Sequence, residues 1–156
     1  MINIIDANNL AGKLNLLQEE AFDEKLIKLL NQYKKGKYIL VFDGRDMMGD
    51  KYERGNITVI YTPKDSFYKS ADDKIVELAK IYLNTGEGAK IITDDLEIIG
   101  KVEKIINDSG GKISLEKASA FAEKLNNYLK NRAGEKDLAD DETDEINEEL
   151  LSKWKT

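Results

Sequence analysis

The sequence predicts an α/β fold, in which a mainly parallel sheet is covered by helices on both faces. Short runs rich in β-branched residues alternate with longer amphipathic stretches over the first 133 of the 156 residues. The run YILVFD at residues 38–43 is almost wholly apolar, as expected for a strand that is buried on both faces. The length and the 41% apolar fraction suffice for one domain with its own core.

The strands are predicted from apolar and β-branched runs, which give a sheet of four to five members. The segment GRDMMGDKYERG at residues 44–55 is polar and contains three glycines, so we predict a loop there. In chain order the predicted strands are INIID at residues 2–6, YILVFD at 38–43, NITVIYT at 56–62, AKIITD at 89–94 and, as a short edge strand, KIS at 112–114.

Four helices are predicted from apolar side chains at 3.6-residue spacing. Gly36 follows the first of them, Ser70 precedes the second in a position that suits an N-cap, and the third ends at a Ser-Gly-Gly turn. In chain order the predicted helices cover about residues 19–34, 71–84, 95–107 and 115–131.

The chain has no histidine and no cysteine, which excludes several classes of site. Ser-His-Asp triads, Cys-His pairs, thiol redox centres and ordinary zinc sites all need one of these residues. Carboxylates, amides, hydroxyls, lysines and hard metal ions remain. No apolar run reaches membrane-spanning length, and the start MINIIDANNL lacks the apolar stretch of a signal peptide, so we expect a cytoplasmic protein with no membrane partner.

The negative charge is confined to the C-terminus. Residues 134–156 hold nine acidic residues and three lysines, which accounts for the whole net charge of -6. Of 30 acidic and 24 basic residues, 21 of each are left in residues 1–133. We predict a domain over 1–133 and an acidic tail over 134–156, either solvated or forming a short amphipathic helix. A neutral body does not exclude a nucleic-acid partner.

Aspartates follow the ends of three predicted strands and open one predicted helix. In a parallel α/β sheet, the carboxyl ends of the strands and the helix N-termini face one edge. Clustered carboxylates repel each other unless cations lie among them, and an all-oxygen set selects Mg²⁺ or Mn²⁺. Two such ions can assist displacement at a phosphodiester. The aspartates are Asp6, Asp43, Asp72, Asp73, Asp94 and Asp95.

Some of these aspartates also have structural interpretations. Asp94 lies three residues before a glutamate, so we predict that it is the N-cap of the helix that follows. Asp73 lies three residues after a serine, as the acidic residue of a helix capping box does. Asp72 lies in the first turn of the same helix, where the helix dipole alone favours an acidic residue. Asp6 and Asp43 precede predicted loops and have no helix to cap, which favours a functional role for both.

Four motifs, IIDANNL, LVFDG, SADDKIVELA and IITDDLEI, occur in this order on the predicted elements. With them, residues 1 to about 131 resemble the PIN-like NYN domain, in particular the YacP-like branch of predicted ribonucleases. The resemblance implies a Rossmann-like, three-layer PIN/NYN fold. It also implies an endoribonuclease that depends on one or two Mg²⁺ or Mn²⁺ ions and acts on RNA, with single strands and ribosome association as further expectations.

The resemblance assigns roles by position in the motifs. Asp6, Asp43, Asp72 and Asp95 match the catalytic acids. Asp6, Asp72 and Asp95 would hold the principal ion, and Asp43 and Asp73 would engage a second ion or its waters. Bound metal would then supply an activated water, so that no histidine base is required.

Two further polar residues match the family's motifs, and two other residues differ from them. Asn9 and Thr93 match motif positions and would bind the scissile phosphate or orient the ligating carboxylates. Ala7 replaces a glycine of the family, and Leu96 stands where an arginine often follows. The second departure removes a cation that would pair with phosphate.

Cations for the RNA backbone are predicted in the two loops near this edge. Aromatic residues interleaved with them would stack on unpaired bases. For the lysines a solvated surface position is the alternative, and for Phe67 a place in the core. The cations are Arg45, Lys51, Arg54, Lys64 and Lys69, and the aromatics are Tyr52, Phe67 and Tyr68.

Two other functions remain open. One is a catalytically weak RNA- or ribosome-binding module of the same fold. The other is a receiver-like phosphoacceptor domain, which also gathers acids around Mg²⁺ but needs a lysine after a final strand that the sequence does not place. The complete acidic set favours the nuclease, because mere binding gives no reason to keep a self-repelling cluster.

Overall fold

A computed structural model describes residues 1–33, 36–44, 49–63 and 71–134, with side chains up to Arg132. The strands are β1 Ile2–Asp6, β2 Lys37–Phe42, β3 Asp50–Arg54, β4 Ile57–Tyr61, β5 Ala89–Ile92 and β6 Ile113–Glu116. The helices are α1 Ala7–Lys13, α2 Phe22–Tyr33, α3 Ala71–Thr85, α4 Leu96–Asp108 and α5 Ala118–Gly134.

The six strands form one sheet in the order β3-β4-β2-β1-β5-β6. All neighbours are parallel except β3 and β4. The α/β prediction is confirmed, and the sheet is larger than the four to five strands expected. Counted among themselves, the five parallel strands run 3-2-1-4-5, the doubly wound dinucleotide-fold order. This order differs from the 2-1-3-4-5 of receiver-like domains, so the topology does not support that alternative.

Helices cover both faces of the sheet, because successive residues of a strand point to opposite sides. Ile5, Leu40 and Phe42 pack with residues of α1, α2 and α5 in one core. Ile4 and Val41 pack with residues of α3 and α4 in the other. Two cores explain why β2 is apolar along almost its whole length, and they make the fold three-layered.

The segment predicted as a loop over residues 44–55 contains β3, so that part of the prediction was wrong. β3 pairs antiparallel with β4 at the edge of the sheet, and only its middle residue, Tyr52, packs against the core. Its other side chains are charged and exposed, which suits an edge strand but leaves no apolar run to detect. Gly55 supplies the positive φ of 62° at the turn into β4.

The sequence ANNLAG was also predicted as a loop, and it forms helix α1. Two asparagines and a glycine obscured a short helical stripe in which Ala7, Leu10 and Ala11 are buried. The helix begins directly after β1, so Asp6 occupies an N-cap position, which is contrary to the prediction that it has no helix to cap.

Several predictions lie outside the described residues. They are the N-cap at Ser70 and the conformation of nearly all of the acidic tail, residues 135–156. Within the ranges that are described, no helix combines the length and the apolar character needed to cross a membrane.

Candidate metal centre

Three aspartates meet at the carboxyl edge of the sheet. β1 and β5 are neighbours at the point where the strand order reverses, which is where ligands bind in doubly wound folds. Asp6 is the last residue of β1, Asp95 follows β5, and Asp72 is the second residue of α3. One carboxylate oxygen from each lies within 4.8 Å of the others. The structure therefore brings together three of the five predicted metal ligands.

Asp6 is the most buried member, with 6% of its surface exposed. Its pKa is raised to about 6, chiefly by burial and in addition by the charges of Asp72 and Asp43, against the lowering effect of the Thr93 hydroxyl and the Asn9 backbone amide. Asp6 sits at the N-cap of α1, where the Thr93 hydroxyl and the Asn9 amide offset only part of the cost of burying its charge. An ionised Asp6 is therefore costly unless a cation lies beside it.

Thr93 links two of the acidic residues through a single hydroxyl. It is fully buried, donates to Oδ2 of Asp6 over 3.1 Å, and accepts from the backbone N–H of Asp95 over 3.0 Å. Of the two roles predicted for this residue, the contacts match the orientation of carboxylates.

Asp95, and not Asp94, is the N-cap of α4, so the sequence prediction was wrong by one residue. Oδ1 of Asp95 accepts from the N–H groups of Glu97 and Ile98 at 2.8 and 3.3 Å. The reason is that α4 begins at Leu96, one position later than predicted. These bonds use one oxygen and fix the carboxylate rigidly to the helix.

Asp94 instead joins two helices of the opposite layer. Its carboxylate accepts from the backbone N–H of Ser119, in the first turn of α5, at 3.2 Å and lies 3.4 Å from Nζ of Lys13. Burial alone would raise the pKa of Asp94, but Ser119 and Lys13 together hold it below the usual range. Asp94 therefore caps a helix, but that helix is α5.

The other two predicted ligands have different partners. Oδ1 of Asp43 accepts from the backbone N–H of Ala71, at the start of α3, over 2.7 Å. Asp73 lies 3.9 Å from Nζ of Lys101 on α4. Neither belongs to the group of three, although Asp43 is close enough for its charge to act on Asp6.

Two asparagines of α1 bind the backbone of neighbouring strand ends. Oδ1 of Asn9 accepts from the N–H of Asp94 over 2.8 Å, next to the cluster. Oδ1 of Asn8 accepts from the N–H of Asp43 over 3.0 Å. From the sequence, either asparagine could lie in a turn or position a phosphate or a metal-bound water, and the family resemblance matches Asn9 alone to a motif position. The Asn-Asn pair after the first strand was the available signal.

The predicted RNA-binding cations are only partly described. Lys51 is exposed on β3, and its strand lies three positions away from β1. Arg54 pairs with Ile57 at the opposite end of the parallel strands and binds Glu24 at 2.8 Å. Its guanidinium also lies 5.4 Å from the ring centroid of Tyr52. The structure does not bring Arg54 to the acidic edge.

The remaining residues predicted for RNA contact lie outside the described residues. They are Arg45, Lys64, Phe67, Tyr68 and Lys69.

Comparison with known proteins gives one family match and a similar solved structure. The sequence profile of the YacP-like NYN domain matches residues 3–156. Among solved structures, the chain is similar to a mutant form of Rae1 (YacP) from Bacillus subtilis, with 20% sequence identity and a TM-score of 0.58. The alignment covers 96% of this chain and 89% of that one, and at this identity the likeness concerns the fold. A search among curated proteins gives no match.

Proposed function

Because the chain belongs to the family of YacP-like NYN domains, a PIN-like nuclease family, we propose that it is an endoribonuclease that depends on Mg²⁺ or Mn²⁺. One observation carries the proposal. Asp6, Asp72 and Asp95 converge within 4.8 Å at the ligand-binding edge of a doubly wound sheet. A group of three carboxylates in which one is buried is costly by itself and is stabilised by a cation.

The donors fit a hard divalent ion. Mg²⁺ and Mn²⁺ prefer oxygen ligands, whereas zinc sites rely on histidine and cysteine, which this chain lacks. Asp6, Asp72 and Asp95 would hold the ion. The elevated pKa of Asp6, about 6, supports this assignment because it reports both burial and the neighbouring negative charges. A second ion near Asp43 and Asp73 stays a prediction.

The chemistry needs no residue that the chain lacks. When bound, the ion supplies a water of lowered pKa and compensates the charge that develops on the phosphate. The residues of the chain hold the ligands in place. Thr93 fixes Asp6, and the first amides of α4 fix Asp95. Asp6 must be ionised to serve as a ligand, and its pKa without metal is about 6, so protons should compete with the ion and weaken its binding below about pH 6.

Substrate and domain boundaries belong to the same proposal. Residues 1–133 would form the nuclease domain, and residues 134–156 an acidic tail outside it. The substrate would be RNA, with single strands expected because aromatic residues interleaved with the predicted cations would stack on unpaired bases. Association with the ribosome is a further prediction. A binding module without catalysis is the competing function, and cleavage itself distinguishes the two.

The test is cleavage of a pool of cellular RNAs with Mn²⁺ or Mg²⁺, compared with the same reaction in EDTA. Asp6→Asn and Asp95→Asn should abolish it. Asparagine is also a good N-cap, so Asp95→Asn keeps the start of α4 intact. Asp108→Asn is a matched control, because it removes the same charge from an exposed position at the other end of α4. Equal cleavage by all four proteins would reveal a contaminating nuclease and end the proposal.

A further inference from the structure

The backbone at the end of β2 is held from both sides. The N–H of Asp43 donates to Oδ1 of Asn8 over 3.0 Å, and the N–H of Gly44 donates to Oγ1 of Thr62 over 3.2 Å. Asn8 comes just after β1 and Thr62 directly after β4, and these are the two neighbours of β2. Thr62 is also bound to Phe42 and is 2% exposed. The position of Asp43 is therefore fixed by the sheet.

The carboxylate of Asp43 holds the start of α3. It accepts from the N–H of Ala71 over 2.7 Å, and Ala71 is 1% exposed. The first amides of a helix have no partner within the helix, so a carboxylate there satisfies a buried donor and is favoured by the helix dipole. Asp72, a member of the acidic cluster, is the next residue.

These contacts form a continuous series from Asp6 to Asp72. Asp6 lies two residues before Asn8, Asn8 binds the backbone of Asp43, and Asp43 binds the residue before Asp72. The series begins near Asp6 and ends next to Asp72, and both of these aspartates belong to the acidic cluster. Asp6 ends a strand at the centre of the sheet, whereas Asp72 lies on a helix that packs on one face of it. Their spacing thus depends on how α3 begins.

We infer that Asp43 is a positioning residue that sets Asp72 against Asp6 by holding the N–H of Ala71, with Asn8 as its support. This role differs from the ligand role that the sequence predicts for Asp43, and it rests on the proposed metal site. Loss of the bond leaves a buried amide without its acceptor and lets the start of α3 move. Metal affinity then falls although all three ligands are present.

The test measures Mn²⁺ affinity by calorimetric titration of the folded protein. Asp43→Ala removes the acceptor and should weaken Mn²⁺ binding by about 10- to 100-fold, the usual effect of removing a group that orients a ligand. Asp43→Asn keeps an oxygen that can accept from Ala71, and it should restore most of the affinity. Asp72→Asn keeps the shape but removes a ligand, and it should lose the affinity that Asp43→Asn retains.

Asn8→Ala should weaken binding in the same direction, and the double variant with Asp43→Ala should lose less than the sum of both, since the two act in series. Asn3→Ala is the matched control. Asn3 also joins β1 to β2, through a bond of 3.2 Å to the carbonyl of Lys37, but at the opposite end of the strands. It should leave Mn²⁺ affinity unchanged.

A second measurement separates positioning from general damage. For Asp43→Ala, the Mn²⁺ concentration for half-maximal RNA cleavage should rise while cleavage at saturating Mn²⁺ largely recovers.

If Asp43→Asn binds Mn²⁺ as poorly as Asp72→Asn, Asp43 is a ligand and the inference is overturned. It is equally overturned if Asp43→Ala binds like the wild type. If Asp43→Ala fails to fold, the Mn²⁺ affinities of Asp43→Asn and Asp72→Asn still show whether Asp43 positions Asp72 or is itself a ligand. A wild type that binds no Mn²⁺ ends the proposed function, and the inference with it.

Discussion

The hydroxyl of Thr93 donates a hydrogen bond of 3.1 Å to Oδ2 of Asp6, and both side chains are buried at the junction of β1 and β5. The same hydroxyl accepts from the N–H of Asp95. A single oxygen atom therefore connects two of the three clustered carboxylate residues, and its removal affects both at once.

Thr93→Val should weaken Mn²⁺ binding by about 10- to 100-fold, because it keeps the side-chain shape and removes only the hydroxyl. It should also raise the pKa of Asp6, since the lost bond favours the ionised form. Leaving two buried partners unsatisfied should lower the free energy of unfolding by about 1–3 kcal/mol. Calorimetric titration and urea unfolding measure the two effects. Thr93→Ser, which keeps the hydroxyl, should stay near the wild type, and equal losses in both variants would contradict the role of the hydroxyl.

Asp6 should make the metal-free protein less stable as the pH rises from about 4 to about 6. Its native pKa is raised to about 6 from 3.8, so in this window the unfolded carboxyl is ionised while the native one still holds its proton. The stabilising contribution is present below the window and is lost above it. The difference between the two pKa values corresponds to about 3 kcal/mol at pH 7.

The measurement is urea unfolding in EDTA across this range, for the wild type and Asp6→Asn. Asp94 and Glu116 have lowered pKa values and change stability in the opposite direction, so the difference between the two proteins is the quantity to follow. The variant should gain stability relative to the wild type as the pH rises. A constant difference between pH 4 and 7 would show that Asp6 is not held in a costly site.

The two neighbouring aspartates after β5 should separate stability from metal binding. Asp94→Ala removes the partner of Ser119 and Lys13, and it should cost roughly 1 kcal/mol, as expected for a lost helix cap, with Mn²⁺ affinity retained. Asp95→Ala should lose a similar stability, because Asp95 caps α4, and should also lose Mn²⁺ binding. Thermal unfolding with and without Mn²⁺ distinguishes them. If Mn²⁺ stabilises Asp95→Ala as much as it stabilises the wild type, Asp95 is not a ligand and the proposed metal site is refuted.

The residues that the sequence located correctly share a physical reason. An aspartate directly after an apolar strand must lie at the carboxyl edge, so Asp6 and Asp95 were placed by strand prediction alone. Asp43 lies at the same edge, but its partner, the amide of Ala71, belongs to a helix whose docking depends on tertiary packing. No local pattern contains that contact.

The errors have local causes. Asn8, Asn9 and Gly12 are poor helix formers, yet α1 forms because its buried stripe packs against the sheet and α5, which is tertiary packing overriding propensity. β3 was missed because an exposed edge strand carries charge and not apolar residues. The N-cap of α4 was assigned to Asp94 instead of Asp95 because the start of the helix lies one residue away from its prediction, which is within the usual uncertainty of helix ends.

An arginine at position 96 would place a cation beside the acidic cluster, where many members of the family have one. Leu96 is the first residue of α4, next to Asp95, and 82% of its surface is exposed. Leu96→Arg should change stability by less than about 0.5 kcal/mol, because the side chain lies on the surface. An added cation beside the acidic cluster can pair with one phosphate, so the salt dependence of RNA binding should steepen by about one ion. Filter binding at several salt concentrations, in an Asp95→Asn background that prevents cleavage, measures this slope. Leu96→Gln is the uncharged control, and an unchanged slope for Leu96→Arg would mean that RNA does not pass this side of the cluster.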